Sequence, residues 1–465
     1  MGGKYEVVVI GAGPGGYVAA IRAAQLGFKT ALIEKRETLG GTCLNVGCIP
    51  SKALLESSHI YEMTKKALSQ HGIESSKPKL NFDTMMERKN KVVHELVNGV
   101  GGLIKKNGIH WIKGVASLDS PTEIRVKDPD SDTRITAEHI ILATGSSSAT
   151  LPFLPLNETN IVTSTGALSL KKIPEKLIVI GAGVIGVEMG SIYSRLGSQV
   201  TILEVLDHIC PGIDRTIGKQ FFQILKKQGL AFHLSTKVTA ASIHDDNITL
   251  SIENKERQSE LSGDVVLVSV GRKPYTENLG LQNVGIETTP RGFIPVDRNF
   301  RTKVPNIYAI GDIIEGPMLA HKASDEGVAV AEIIAGLNPH VRYIAIPNVI
   351  YTHPEVACVG LTDEETDLLK IETTEGICPL RANPRARCMA DDQGVVKVIG
   401  RKSDDLCLGI HILGPHASEM IATGVMILEK RMTLPEIAAA SFAHPTLSEA
   451  IKEATLAALN RTINI

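Results

Sequence analysis

A chain of 465 residues is too long for one ordinary hydrophobic core and predicts two to four domains. Its 49 basic and 51 acidic residues nearly cancel, at a net charge of −2, which argues against a general nucleic-acid or membrane-surface binder. Low aromatic content (4%) gives no base-stacking platform around the lone Trp111, no stretch offers 18 uninterrupted apolar residues, and seven cysteines are too few and odd in number for a secreted disulfide scaffold.

The first element is "YEVVVI" (Tyr5 to Ile10), which reads as a buried strand rather than a signal or transit peptide. Glu6 stands where N-myristoylation needs a hydroxyl residue. These readings, with the sparse cysteines, predict a reducing, cytoplasmic setting. The strand runs into Gly11, Gly13 and Gly16 in G-x-G-x-x-G spacing, then an apolar-periodic helix, a Leu26-Gly27 stop, a second strand and Glu34. The first glycine permits a tight turn, the second lets backbone approach a pyrophosphate, and the third lets helix pack on strand. The helix N-terminus offers N–H groups to phosphate, and the glutamate can accept from a ribose hydroxyl.

Next comes "GGTCLNVGCIPSK", residues 40 to 52, with Cys43 and Cys48 five apart and Lys52 behind. A zinc site needs about four ligands, and the other cysteines (210, 358, 378, 388, 407) form no second close pair. Two buried thiols used as small apolar side chains remain one reading. A redox pair is the other. In a regular helix residues five apart have Cα atoms about 8–9 Å apart, beyond the ~7 Å reach of a disulfide. A bridge would therefore need an irregular turn, which Gly47 and Pro50 permit.

At an offset of 170 the opening unit repeats: "LIVIGAGVIG" begins at Leu177, and Gly181, Gly183, Gly186, Leu196, Gly197 and Glu204 fall on their counterparts. One G-x-G-x-x-G is weak evidence, but two complete copies predict two bound dinucleotides. Glu204 is followed by "VLDH", with no cation to meet a 2′-phosphate, so the second site should take NAD rather than NADP. Glu188 occupies the helical position of Val18 in the first copy; it is either an exposed helix residue or a carboxylate that burial obliges to pair. The runs "HDDN" (His244 to Asn247) and "KSDD" (Lys402 to Asp405) read as solvated turns, and Cys388 as a thiol without evident role. Near the C-terminus, "TLSE" (Thr446 to Glu449) fits a capping box, with His444 in a loop before proline.

The segment from Gly40 to Lys52 resembles the redox-active segment of the flavoprotein disulfide reductases, specifically the dihydrolipoamide dehydrogenase family. The resemblance runs on through "ILATGS" (Ile141 to Ser146), "VSVGRKP" (Val268 to Pro274), "TKVPNIYAIGD" (Thr302 to Asp312), "GPMLAHKASDEG", "YTHPEVACVG" and "HPTLSE" (His444 to Glu449). The serine of the family pattern is replaced by Pro384.

The resemblance implies an α/β, glutathione-reductase-like architecture: two Rossmann-like dinucleotide-binding domains plus a C-terminal α+β dimerisation domain. Residues 1–147 would bind FAD, 148–272 NAD, 273–344 would form a central domain returning to FAD, and 345–465 an interface domain. The FAD set it implies comprises Gly11, Gly13, Pro14, Gly15, Gly16, Glu34, Lys35, Gly41, Thr42, Cys43, Cys48 and Lys52, then Ala116, Thr144, Gly145 and Arg272, and finally Gly311, Asp312, Met318, Leu319, Ala320 and His321. The NAD set is Gly181, Gly183, Val184, Ile185, Gly186, Glu188, Glu204, Val238, Val270 and Gly271. No metal is implied. Cys43 and Cys48 would form the redox disulfide, with Cys43 nearer the substrate and Cys48 against the flavin. His444 would be the general base, supplied across a homodimer interface and oriented by Glu449, while Lys52 and Glu188 would pair beside the flavin. Electrons would pass from dihydrolipoyl groups through FAD to NAD⁺. The partners implied are the lipoyl domains and core of 2-oxo acid dehydrogenase complexes, or the glycine cleavage system, with no nucleic acid or membrane. Sister activities fit less well: a glutathione reductase would select NADP, a mercuric reductase would carry a further C-terminal cysteine pair, and soluble transhydrogenases lack the redox cysteines. A non-catalytic flavoprotein sensor or scaffold would need neither His444 nor both cysteines.

Overall fold

The computed structural model describes residues 3–74, 76, 78–244, 247–255 and 257–465. Asp245 and Asp246 of the "HDDN" run lie outside the described residues. By compactness the chain forms two units. The first holds residues 1–53, 84–149 and 271–341; the second holds 54–83, 150–270 and 342–465. The four consecutive stretches expected from the sequence are thus grouped differently: 273–341 joins the first stretch, the C-terminal stretch joins the second, and 54–83 leaves the first for the second. The seams between the two units fall at 149/150, 270/271 and 341/342, each within three residues of the expected 147/148, 272/273 and 344/345.

The first unit is built on a seven-stranded sheet. Its parallel part runs His110–Lys113, Thr30–Glu34, Lys4–Ile10, Ser131–Leu142 and Ile307–Ala309. Glu123–Asp128 and Val115–Leu118 extend it antiparallel from Ser131–Leu142. Such a parallel core is covered on both faces, which is why Val7, Val8 and Val9 form an unbroken apolar run with no exposure. Burying each contributes about 1.5–3 kcal/mol. Helix Ala320–Ile334 crosses helix Pro14–Gln25 at close range: a Cβ on Gly327 would lie 2.5 Å from the Gly15 carbonyl oxygen.

The second unit holds the repeat. Its parallel sheet runs Ala231–His233, Gln199–Leu203, Lys176–Ile180, Val265–Val268 and Ile161–Val162. The two copies share their register. Val7 pairs with Thr30 and Ile10 with Ile33 in one; Leu177 pairs with Val200 and Ile180 with Leu203 in the other, each at the same offset of 170. The C-terminal part is a five-stranded antiparallel sheet, Asn348–Ile350, Glu355–Gly360, Cys407–Gly414, Val395–Arg401 and Thr373–Pro379. Helices Ala417–Glu429 and Glu449–Ala458 close an apolar core over it through Met420, Ile421, Ile451 and Ala454. Pro384 opens the short helix Pro384–Cys388, where its missing N–H costs nothing, and Cys388 is exposed.

Candidate active site

In both glycine loops the turn depends on the first glycine. Gly11 and Gly181 have φ of 101° and 104°, and a Cβ would lie 2.4 Å from the Ala143 carbonyl oxygen or 2.5 Å from that of Ser269. The third glycine is pressed against the first: a Cβ on Gly16 would fall 1.8 Å from the Gly11 oxygen, and on Gly186 2.0 Å from the Gly181 oxygen. Above Gly13 and Gly183 nothing stands within 4 Å of a built Cβ, and neither helix has a side-chain cap. The first-turn N–H groups thus have no side-chain cap, which leaves them available to a dinucleotide pyrophosphate.

The two glutamates are held alike. Glu34 Oε2 accepts from the Ala12 N–H at 2.8 Å and Oε1 from Arg36 at 3.0 Å; Glu204 Oε2 accepts from Ala182 at 2.7 Å and Oε1 from Leu206 at 2.9 Å. Each buried carboxylate is fixed as an acceptor-only group at the end of its strand, suited to a ribose diol. A further latch went unread in the sequence. The Gly40 N–H donates to the Ala12 oxygen and the Cys210 N–H to the Ala182 oxygen, both at 2.9 Å and again 170 apart. Its donors are backbone groups carried by a glycine and a cysteine, so side-chain similarity does not mark it.

The latch at Gly40 seats the cysteine segment on the first loop, and a Cβ on Gly41 would lie 2.5 Å from the Gly13 Cα. Thr42 and Cys43 lie on the short helix Gly41–Val46; Cys48 opens helix Cys48–Lys66. Between them Gly47 adopts φ −141° and ψ −114°, which breaks the helix and releases the pair from regular spacing. Cys43 is half-buried and Cys48 exposed, and their side chains hydrogen-bond to each other. The Cys43 thiol is pushed far up, first by that bond, then by burial and the charge of Cys48, while Lys52 draws it down.

The rest of the implied FAD set lies in the same unit. Thr144 Oγ1 donates to the Tyr275 carbonyl at 2.6 Å, and the Tyr275 N–H donates to Gly145 at 2.9 Å. The Lys35 ammonium stands 3.6 Å from the centroid of the Tyr275 ring. Ser146 Oγ donates to Asp312 Oδ2 at 2.5 Å, and Arg272 Nε donates to Ser146 Oγ at 2.7 Å. Burial draws the Arg272 guanidinium down, while the charges of Asp312 and Cys48 draw it up, so one electrostatic field spans all three. Behind Asp312 the buried Lys322–Glu326 ion pair, 3.0 Å apart, clamps Gly311: Glu326 accepts its N–H at 2.8 Å and Lys322 donates to its carbonyl at 3.1 Å. Met318 and Leu319 precede helix Ala320–Ile334, which Ala320 and His321 open, and Ala116 lies in the sheet core. Ser146, Tyr275, Lys322 and Glu326 were missed from sequence, although Ser146 closes the quoted "ILATGS" run and the last two sit inside "GPMLAHKASDEG".

Of the implied NAD set, all but Gly271 belong to the second unit; Gly271 falls just past its seam. Val184, Ile185 and Gly186 form the first turn of helix Val184–Leu196, while Val238 is buried and Val270 exposed. Glu188 is 3% exposed and accepts from the Tyr351 N–H at 2.9 Å, so the exposed-helix alternative falls.

His444, Glu449 and Glu188 lie in the second unit, and Cys43, Cys48 and Lys52 in the first. Glu449 fills both functions weighed for it. One oxygen accepts from the Thr446 N–H at 2.8 Å, and the other meets His444 Nδ1 at 3.0 Å. The capping box is nonetheless corrected: helix Glu449–Ala458 begins at Glu449 with Ser448 as its N-cap, and Thr446 Oγ1 donates to Ala443 instead. Burial pushes the Glu449 carboxyl up, but the Thr446 N–H and the His444 bond and charge outweigh it and hold it below the ordinary value. The carboxylate is thus ionised and fixes the ring, leaving Nε2 of an exposed imidazole to face outward.

Comparison with known proteins agrees with this architecture. Residues 5–327 match the Pyridine nucleotide-disulphide oxidoreductase family, and residues 346–455 match its dimerisation domain. Human "Dihydrolipoyl dehydrogenase, mitochondrial" is 52% identical, over 99% of this chain and 92% of its own length. The mouse protein of the same name is 51% identical over 97% and 90%. Among solved structures, LpdA from Mycobacterium tuberculosis superposes with a TM-score of 0.89 at 26% identity, covering 97% of this chain and 99% of its own. The HOCl-induced flavoprotein disulfide reductase RclA from Escherichia coli reaches 0.85 at 30%, with the same coverage. Two in-register dinucleotide loops, a thiol pair seated on the first, and these matches along almost the whole length lead to one conclusion: the chain belongs to the pyridine nucleotide-disulphide oxidoreductase family.

Proposed function

We propose that this protein is an NAD-dependent dihydrolipoamide dehydrogenase, which oxidises dihydrolipoyl dithiols to the cyclic disulfide. The observation that carries the reading is the Cys43–Cys48 contact, seated on the first dinucleotide loop. The near-full-length likeness to relatives named dihydrolipoyl dehydrogenase selects the substrate class. FAD, when bound at the first loop, supplies the two-electron relay between the thiols and NAD⁺.

In the oxidised enzyme Cys43 and Cys48 form a disulfide. The partner subunit's His444 takes a proton from one substrate thiol through Nε2, because thiolate rather than thiol is the nucleophile. That thiolate attacks Cys43 Sγ, breaks the Cys43–Cys48 bond and releases Cys48 as a thiolate. The second substrate sulfur then displaces Cys43, closing the lipoyl ring and leaving both cysteines reduced. Glu449 holds the imidazole in one orientation and stabilises its protonated form. Asp312 and Arg272, linked through Ser146, would hold FAD in the first unit, with Lys52 supplying positive charge near the thiols, and the buried Glu188 would serve the second dinucleotide. The working unit is a homodimer, which the match to the dimerisation domain supports. Lipoyl domains and cores of 2-oxo acid dehydrogenase complexes, or of the glycine cleavage system, are the partners that fit this chemistry. The cytoplasmic setting belongs to the same reading and rests on the few, odd-numbered cysteines.

Thiol labelling tests the chemistry. Anaerobic dihydrolipoamide should unmask two iodoacetamide-reactive thiols per chain in the FAD-loaded enzyme, mapping to Cys43 and Cys48 by mass spectrometry. Labelling there that does not depend on dihydrolipoamide would contradict the proposal.

A further inference from the structure

The C-terminal halves of helices Cys48–Lys66 and Val184–Leu196, with Gln228, Leu230 and His353, enclose a cavity of about 190 Å³. Its lining lies wholly within the second unit. Ser191 and Arg195 are two and three turns past the dinucleotide loop, about 12 and 18 Å from Gly183 along the axis. The cavity is therefore separate from the pyrophosphate position.

Its polar lining is incomplete. Ser191 is 1% exposed and Arg195 9%, and neither Ser191 Oγ nor Arg195 Nη2 has a hydrogen-bond partner among the described residues. Arg195 Nη1 makes only long contacts, 3.4 Å to the Leu55 carbonyl and 3.5 Å to Ser58 Oγ. Glu62 and Glu56 act on the guanidinium through charge alone, and Glu62 is already engaged by Lys66 at 2.5 Å. Burial draws Arg195 down to about 10, and the charges of Glu62 and Glu56 offset this only in part. A buried guanidinium without an anion is costly, and so is a buried hydroxyl without a partner.

The remaining lining suits a negative guest. Lys65, Lys66 and Arg195 face a single carboxylate, Glu62. The His59 and His353 rings stack with centroids 3.9 Å apart, and His353 Nε2 lies 3.1 Å from Asp391 Oδ2. Burial, then the charges of His353 and Arg195, draw His59 down to about 4, so its ring is neutral at physiological pH. Gln228 adds an amide whose nitrogen already donates to the His353 carbonyl at 2.7 Å.

We propose that this cavity is a binding site for a small doubly charged oxyanion, of the phosphate or dicarboxylate class, held by Arg195 and Ser191 with Lys65 beside them. Such an anion would tie the two helices together and supply the acceptors that both side chains lack.

Calorimetric titration of the FAD-loaded enzyme, with NAD⁺ saturating and ionic strength fixed with chloride, tests this with inorganic phosphate and, separately, malonate. One saturable site per chain is expected for at least one of them, and which one binds tells phosphate from dicarboxylate recognition. Arg195→Met and Ser191→Ala should each weaken it at least tenfold, and Glu62→Gln should tighten it severalfold. If Arg195→Met does not fold, the Ser191 and Glu62 variants decide. The absence of saturable binding by both anions would overturn the proposal, as would binding that these substitutions leave unchanged.

Discussion

At the scale of single residues, the chemistry rests on side chains whose neighbours hold them in one state. His444 is exposed, yet Glu449 fixes its Nδ1 side at 3.0 Å while anchored by the Thr446 N–H. A positioned base contributes about 10²–10⁴-fold. His444→Gln should therefore cut kcat for dihydrolipoamide oxidation by that factor with the flavin absorbance unchanged. Glu449→Gln should also cut kcat, because its single oxygen serves the Thr446 N–H and its NH₂ then faces His444 Nδ1, so both the charge and the acceptor for the ring are lost. Equal kcat in wild type and His444→Gln would remove the histidine from the proposed mechanism. Both residues could be found in the sequence, but only through a resemblance; the bare pattern favoured a helix cap, and the structure shows one carboxylate filling half of that cap and the histidine contact together. Cys43 and Cys48 were legible as a pair needing an irregular turn, and Gly47 supplies the break.

At the scale of elements, spacing carried the most information. An offset of 170 in the sequence became a shared strand register and two carboxylates bound to the same loop atoms. This worked because the first and third glycines of each loop answer steric demands that no other residue meets. Gly186→Ala would place a methyl 2.0 Å from the Gly181 oxygen. The backbone must move, at about 1–3 kcal/mol, so Tm should fall by several degrees and KM for NAD⁺ should rise. An unchanged Tm and KM would mean that the loop is not set by that contact. What spacing could not show were links between backbone atoms, such as the Gly40 and Cys210 latches, and buried pairs such as Lys322–Glu326, whose residue types look ordinary on a helix. His59 is another. Its ordinary value near 6.5 is drawn down to about 4 in the folded chain. The stability it contributes is thus full above pH 6.5 and is lost as pH falls toward 4. Thermal melts from pH 7 to 4.5 should show a smaller drop in Tm for His59→Gln than for wild type, and an identical drop would show that His59 does not titrate on unfolding.

At the scale of the whole molecule, the chain passes three times through each compact unit; the return of residues 271–341 to the first unit matches the expected central domain, while the passage of 54–83 into the second was not read from the sequence. Residues 54–83 leave with the second unit because compactness follows packing rather than chain order. The chemical plan nevertheless survives the regrouping. The implied FAD set is gathered in one unit, while the imidazole–carboxylate pair sits in the other, beside a sheet matched to a dimerisation domain. Glu204, with both oxygens already bound to loop N–H groups, meets a 2′-phosphate with like charge, a mismatch of several kcal/mol. The most direct measurement is anaerobic nicotinamide reduction by the FAD-loaded enzyme, with dihydrolipoamide or glutathione as donor and NAD⁺ or NADP⁺ as acceptor. Rapid NADH formation from dihydrolipoamide, with NADP⁺ and glutathione each at least about a hundredfold slower in kcat/KM, is the predicted result; no reduction of NAD⁺ by dihydrolipoamide would contradict the account.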